Sequence, residues 1–269
     1  MIRSRGFPAS VSPLFLFERD APLKGHSAYK QAKAGDGDAA LALVIDRAVA
    51  WLYEKRDRFE PGLVFIAPHA KEATGDNAIP QTLASVCAAI YQGSTDTEVV
   101  QSDRVYHTGA DPMERMAARA QFQGQIVPGA QYVLVDDVTS LGGTLAELSN
   151  HIQLFGGVVK DVVVLVNAGR SPALVPPKKF INLIKERFDD EFTEIFGIEP
   201  PALTANEAQY LAGFRSADAL RNRFAAAEQE IDRRLRSKGI TRTPQAASAS
   251  LRAEQGLTDA NPGPVKTGQ

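Results

Sequence analysis

Tyr132-Val133-Leu134-Val135-Asp136-Asp137-Val138-Thr139-Ser140-Leu141-Gly142-Gly143-Thr144-Leu145 is an apolar run that ends in two acids and a turn of small residues. Val133 to Val135 form a short, continuous, β-branched stretch, the pattern of a central parallel strand covered on both faces. Asp136 and Asp137 are then expected at the carboxyl end of that strand, where the loops of an open α/β sheet gather around ligands. Thr139, Ser140, Gly142, Gly143 and Thr144 supply hydroxyls, permissive backbone and the first free N–H groups of a helix carrying Leu145, Leu148, Ile152 and Phe155 on one face. Strand, glycine turn and helix N-terminus together describe a phosphate cradle.

The nine positions Asp136 to Thr144 resemble the signature of the type I phosphoribosyltransferases, which bind 5-phosphoribosyl 1-pyrophosphate. An ordinary strand-to-helix junction also supplies acids and glycines, but nine ordered positions are a far more specific signal than a Gly-Gly pair. The resemblance implies an open, mostly parallel, Rossmann-like sheet. It also implies that Asp136 and Asp137 hold the ribose 2- and 3-hydroxyls, with Mg²⁺ near them and reached in part indirectly. The 5-phosphate then falls to Thr139, Ser140, Leu141, Gly142, Gly143 and Thr144. Leu141 departs from the family pattern, which has a small or hydroxylated residue there.

The other elements of that family have counterparts in order along the chain. Gly62 to Ala67 reads as the first strand of a catalytic core, and the polar loop from Pro68 to Pro80 follows it. The resemblance implies that this loop grips the pyrophosphate, with His69, Ala70 and Lys71 as candidates; a flexible ammonium suits a diphosphate that gathers charge as the glycosidic bond breaks. Asn77 and Pro80 mark entry to a helix with Leu83, Val86 and Ile90 inward, Pro80 in its first turn. Between Tyr91 and Gly129 the sequence loses periodicity, and the polar stretch from 101 to 112 has the composition of a mobile loop. The resemblance implies a catalytic lid there, with Arg104, Tyr106 and His107 as its candidate residues, excluding water from the transition state. Arg115, Arg119 and Phe122 resemble the corresponding region of the competence-associated branch of the family. The two arginines, four residues apart on one helix face, are candidates for the diphosphate, the alternative being exposed side chains that balance Asp111 and Glu114.

Outward from this core, residues 13 to 17 read as a strand. A polar stretch with Tyr29, Lys30, Lys33 and Asp36 follows, where family members carry a hood over the acceptor, though a solvated helix face is the favoured reading of these four. Asp38 is a candidate cap for an amphipathic helix from Ala39 to Lys55 with Leu41, Val44, Ile45, Ala48, Trp51 and Leu52 inward. Asp161 to Asn167 reads as another buried strand, and Arg170 beyond it is a weak substrate candidate. From Lys178 the chain turns helical, with a capping box at Thr204 and Glu207 and a cap at Ser216. One apolar stripe there, Leu220 to Leu235, needs a partner, either the core or a second copy of the chain in a homodimer. The resulting organisation is a hood segment over residues 1–60, a core over 61–177, a helical accessory region over 178–240 and a disordered tail over 241–269.

Composition narrows the classes. The chain has 269 residues, 44% hydrophobic and 23% charged, with a formal net charge of -2, which describes a globular chain with no basic field for nucleic acid or anionic membrane. The arginines of the last helical stretch alternate with acids, as on a solvated face. The single cysteine, Cys87, excludes an internal disulfide framework, suits a reducing cytoplasm and reads as core filler. No apolar run reaches membrane-spanning length and no secretory apolar segment opens the chain, so a cytoplasmic location is expected.

The function implied by the resemblance is transfer of the 5-phosphoribosyl group to a nitrogen acceptor, a nucleobase or related small molecule, with release of pyrophosphate. Two other readings share the motif: a regulator that senses the sugar diphosphate without turnover, and a hydrolase that transfers to water.

Overall fold

The computed structural model describes residues 1–69, 71–72, 75–102 and 110–237, with residues 71, 72, 75 and 76 described in their backbone alone. Ala70, Arg104, Tyr106, His107, the side chain of Lys71 and the tail over 241–269 therefore lie outside the described residues. Residues 1–231 form one compact unit, and those from Asp232 onward group apart from it.

A five-stranded, all-parallel sheet organises the compact unit. Its strands are β1 (Leu14–Phe17), β2 (Val64–Ile66), β3 (Ser94–Asp96), β4 (Gln131–Thr139) and β5 (Val158–Asn167), in the spatial order β1-β5-β4-β2-β3. β4 lies at the centre, as its unbroken apolar run requires of a strand covered on both faces. The N-terminal segment supplies β1, an edge strand of this same sheet.

Helices cover both faces. On one side lie α1 (Tyr29–Lys33), α2 (Gly37–Val44) and α3 (Ile79–Ile90), packed on Phe65, Val133, Val135, Val163 and Leu165. Cys87 is buried there, where burial pushes its thiol pKa up and leaves it an inert filler. Two further segments precede the other layer and the accessory region: α4 (Pro112–Ala117) and α5 (Gly143–Leu154). On the second face of the sheet, Leu145, Leu148 and Ile152 of α5 meet Tyr132, Leu134, Val162 and Val164. The accessory helices α6 (Lys178–Phe188), α7 (Glu191–Phe196), α8 (Ala205–Leu211) and α9 (Ala217–Ser237) share a third cluster with Met113 and Met116 of α4, including Ile184, Phe192, Leu211 and Leu220. No helix among the described residues is long and apolar enough to cross a membrane.

Several local expectations are corrected. β4 does not stop at the acids but runs through them to Thr139, because Asp136, Val138 and Thr139 keep pairing with Val164, Val166 and Asn167. The helix from 39 is capped by Asp36, whose carboxylate accepts the Ala39 N–H at 2.9 Å, and not by Asp38. That helix continues beyond α2 through a π-turn, Ile45–Val49, into Ala50–Glu54. The extra residue in the turn rotates the apolar face, so Leu43, Val44, Ala48 and Leu52 are buried while Leu41 and Ile45 face outward. Phe155 closes α5 half-exposed, its ring against His151, instead of facing the core. α4 ends at Ala117, so Arg119 does not share a helix face with Arg115.

The cap assignment has a direct test. Asp36→Ala is expected to lower the unfolding free energy by about 1 kcal/mol in a urea titration, while Asp38→Ala stays within about 0.5 kcal/mol of the parent.

Candidate functional site

Alternation along β4 decides where the two acids go. Successive side chains of a strand point to opposite faces, so Asp137 follows Val133 and Val135 toward the α1–α3 layer, and Asp136 follows Tyr132 and Leu134 toward α5. Asp137 is 4% exposed, and its Oδ2 accepts a hydrogen bond from Lys33 Nζ at 3.1 Å. Lys33 of the N-terminal segment is thus a partner of the site and not a solvated face residue. Burial acts to lower its pKa, but the Asp137 charge and hydrogen bond outweigh this and hold the ammonium above its ordinary value. Tyr29, half-buried beside this pair, has its phenol pushed up, chiefly by burial. Asp36 is spent on its cap.

Asp136 opens instead into a cavity that it shares with Val138 and every residue from Thr139 to Leu145, together with Arg3, Arg115, Arg119, Glu147 and Glu207. Burial pushes the Asp136 carboxyl well above the ordinary carboxylate range, and the nearby Asp137 charge pushes it the same way. Its Oδ1 accepts the Asp137 N–H at 2.8 Å, which fixes the carboxylate at the strand edge.

The glycine turn is built as the sequence suggests. Gly142 takes φ +81° and ψ 7°, a left-handed conformation that favours glycine, and stands at the N-cap of α5 without a side-chain cap. The first N–H groups of a 12-residue helix therefore face the cavity wall with its dipole behind them. Gly143 is glycine for another reason: a Cβ there would lie 2.9 Å from Glu207 Oε1.

The two candidate arginines separate. Arg115 donates from Nη1 to Ser140 Oγ at 3.3 Å and from Nε to the Ala110 carbonyl at 3.0 Å. Among the described residues no carboxylate is in ion-pair contact with it, and burial lowers its pKa from the usual guanidinium value. It is a cation with spare donors at the glycine turn. Arg119, by contrast, gives Nε and Nη2 to Glu147 at 2.6 and 3.0 Å and Nη1 to the Phe196 and Gly197 carbonyls at 2.8 and 2.7 Å. Its fork is consumed in joining α5 to the accessory helices, which corrects the expectation that it reaches a diphosphate. α4 is fixed by a capping box at Asp111 and Glu114, and Arg223 of α9 pairs with the Asp111 carboxylate.

Three charged residues that line the cavity, Arg3, Glu147 and Glu207, carry no periodic signal and are not among the site residues expected from the sequence, nor is Thr204 beside them. Arg3 is fully buried, donating from Nη2 to Glu207 Oε2 at 2.5 Å, with Nη1 3.4 Å from both Glu147 Oε1 and the Gly143 carbonyl. The capping box at Thr204 and Glu207 is present as read, and the Thr204 hydroxyl also reaches the Leu141 carbonyl at 2.5 Å. The one available hint was a charged Glu147 amid the apolar positions of α5.

His69 lies half-buried at the end of β2, its carbonyl accepting the Gln101 N–H. Arg170 is exposed, while Asn206 Oδ1 accepts the backbone N–H groups of Arg170 and Ser171, each at 2.9 Å. Among the described residues, no group of three or more His, Cys, Asp or Glu is placed to hold a metal. Asp136 and Asp137, the residues expected near a Mg²⁺, leave the strand on opposite faces, and Asp137 is paired to the Lys33 ammonium.

No family model matches the chain. The chain is 35% identical over 229 residues, 82% of its length, to protein TraN of Escherichia coli, of which the match covers 50%. It is 34% identical over 71 residues to an adenine phosphoribosyltransferase of a Roseiflexus species, the match covering 26% of this chain and 37% of that one. The chain thus spans half the length or less of these curated relatives. A solved structure of adenine phosphoribosyltransferase from Leishmania donovani aligns with 73% of this chain and 88% of its own, at 14% identity and a TM-score of 0.33.

The raised Asp136 carboxyl implies a stability cost in the ionised form. Its folded pKa lies above the unfolded value, so stability is gained as pH falls through the folded pKa and levels off near the ordinary value of about 4. Asp136→Asn is expected to raise the unfolding free energy at neutral pH and to flatten that part of the pH profile, measured by urea titration from pH 4 to 8. An unchanged profile would remove the assignment.

Proposed function

We propose that the chain is a phosphoribosyltransferase-type protein whose cavity takes a phosphorylated ribose, with transfer of the 5-phosphoribosyl group from 5-phosphoribosyl 1-pyrophosphate to a nitrogen acceptor as its reaction. One observation carries this reading: a single cavity joins Asp136, the uncapped N-terminus of α5 and Arg115. An anion at the helix N-terminus gains from the free amides and the dipole, and Arg115 adds a forked cation there. A sugar attached to that phosphate extends along the strand edge to Asp136, which offers an acceptor to a ribose hydroxyl. The short match to a Roseiflexus adenine phosphoribosyltransferase supports the same reading, and a purine-like base is the corresponding acceptor class.

In this mechanism the protein chiefly positions and shields. Asp136 orients the sugar and, when ionised, stabilises positive charge developing on the ring as the bond to pyrophosphate breaks. Its raised pKa makes that second role pH-dependent: the carboxylate form accumulates as pH rises. Mg²⁺, which neutralises a diphosphate through phosphate oxygens while keeping several waters, would enter with the substrate and not from a protein cage.

A second reading, a binder of the sugar diphosphate without turnover, is favoured by the Lys33–Asp137 pair, since a neutralised carboxylate offers less stabilisation to a cationic transition state. Incubation with 5-phosphoribosyl 1-pyrophosphate, Mg²⁺ and a panel of bases separates the two by pyrophosphate release. Release with at least one base is expected for the enzyme, and Arg115→Met should lower kcat/KM by about 10- to 100-fold, the worth of a charge-assisted hydrogen bond of about 1.5–3 kcal/mol. Tight binding with no release for any base would leave the binder; absence of binding would end both readings.

A further inference from the structure

The loop between β4 and α5 is held from outside the sheet. The Thr204 hydroxyl accepts the Glu207 N–H at 3.1 Å and has one proton to give, which goes to the Leu141 carbonyl at 2.5 Å. Glu207 Oε2 accepts the Thr204 N–H at 2.8 Å and Arg3 Nη2 at 2.5 Å, so the hydroxyl is locked in place by a buried box and a buried guanidinium. Thr204 is itself fully buried. The Arg3 guanidinium reaches on to the Gly143 carbonyl.

Peptide planarity turns these carbonyl contacts into statements about amides. In a trans peptide the C=O of one residue and the N–H of the next point in opposite directions. Fixing the Leu141 carbonyl toward Thr204 therefore fixes the Gly142 N–H pointing away from it, while the Thr144 N–H is oriented by α5, whose first residue is Gly143. These are two amides of the turn that a bound phosphate would use. Gly142, with its permissive backbone, would otherwise let that peptide plane rotate freely.

We infer that Thr204, backed by Glu207 and Arg3, is a positioning residue for the anion cradle: it presets the Leu141–Gly142 peptide plane, whose N–H takes part in binding the phosphate. The accessory region is then part of the binding apparatus, and preorganisation of this kind appears as affinity because the amides need no reorientation on binding. The inference rests on the sugar-phosphate reading for its ligand but not for its geometry.

Hydrogen exchange of individual backbone amides by NMR tests the geometry without ligand, and calorimetric titration with ribose 5-phosphate tests its use. In Thr204→Val the Gly142 amide should exchange at least 10-fold faster, with β5 amides unchanged, and ribose 5-phosphate should bind about 10-fold more weakly. Thr204→Ser, which keeps the hydroxyl, should restore both to within about twofold. Thr204→Ala, which removes the same hydroxyl without a new methyl group, serves if the valine variant does not fold. Unchanged Gly142 exchange in the variant lacking the hydroxyl overturns the positioning role, as does weakened binding that serine fails to restore. Faster Gly142 exchange in a protein that binds no ribose 5-phosphate upholds the positioning role and removes the sugar-phosphate reading instead.

Discussion

The candidate site depends on β4 remaining a strand through Asp136 and Asp137. Pairing with β5 continues to Thr139, so two adjacent carboxylates stay in the ladder and must leave it on opposite faces. One enters the α1–α3 layer and meets Lys33; the other enters the cavity under α5. A loop could have turned both toward one ligand. A strand cannot, and the difference in their charge environments follows from this alone.

The second constraint is electrostatic. The buried Arg3, Glu147 and Glu207 and the partly buried Arg119 form a set of two cations and two anions that draws on the chain's first residues, the loop after α4, α5 and α8. Buried charges persist when each is paired and hydrogen-bonded, and removing one member strands its partner. Beside this balanced set Arg115 stands out as the cavity cation with no carboxylate in ion-pair contact among the described residues. At the glycine turn the positive groups not spent on ion pairs are Arg115 and the N-terminal end of α5, the other two cavity arginines being spent on architecture.

The parts of the fold written in local patterns were legible in the sequence. The β4 run, the glycine turn, the parallel sheet and the Thr204–Glu207 capping box are each set by periodicity or by residues three apart, and each is present. What escaped reading depends on distant pairing. Nothing near Arg3 in sequence announces a partner two hundred residues away, and nothing in α1 announces that Lys33 meets Asp137. The π-turn after Val44 escaped for a different reason: a single added residue rotates the apolar face, and an ordinary 3.6-residue period assigns Leu41 and Ile45 to the wrong side. Arg119 shows the limit of spacing arguments, since its distance from Arg115 matters only if the helix continues, and α4 ends at Ala117.

On the proposed reading, the part of the site that would take the sugar phosphate is better defined than the part that would take an acceptor. The cradle, the strand edge and Arg115 are fixed by packing on both sides, and the accessory helices reach the same turn through Thr204. The most direct measurement of the central claim is a crystal structure with ribose 5-phosphate bound. The phosphate should lie about 3 Å from the amides between Gly142 and Thr144 with Arg115 against it, and a ribose hydroxyl should meet Asp136. A phosphate seated elsewhere, with the α5 N-terminus and Asp136 untouched, would contradict the account.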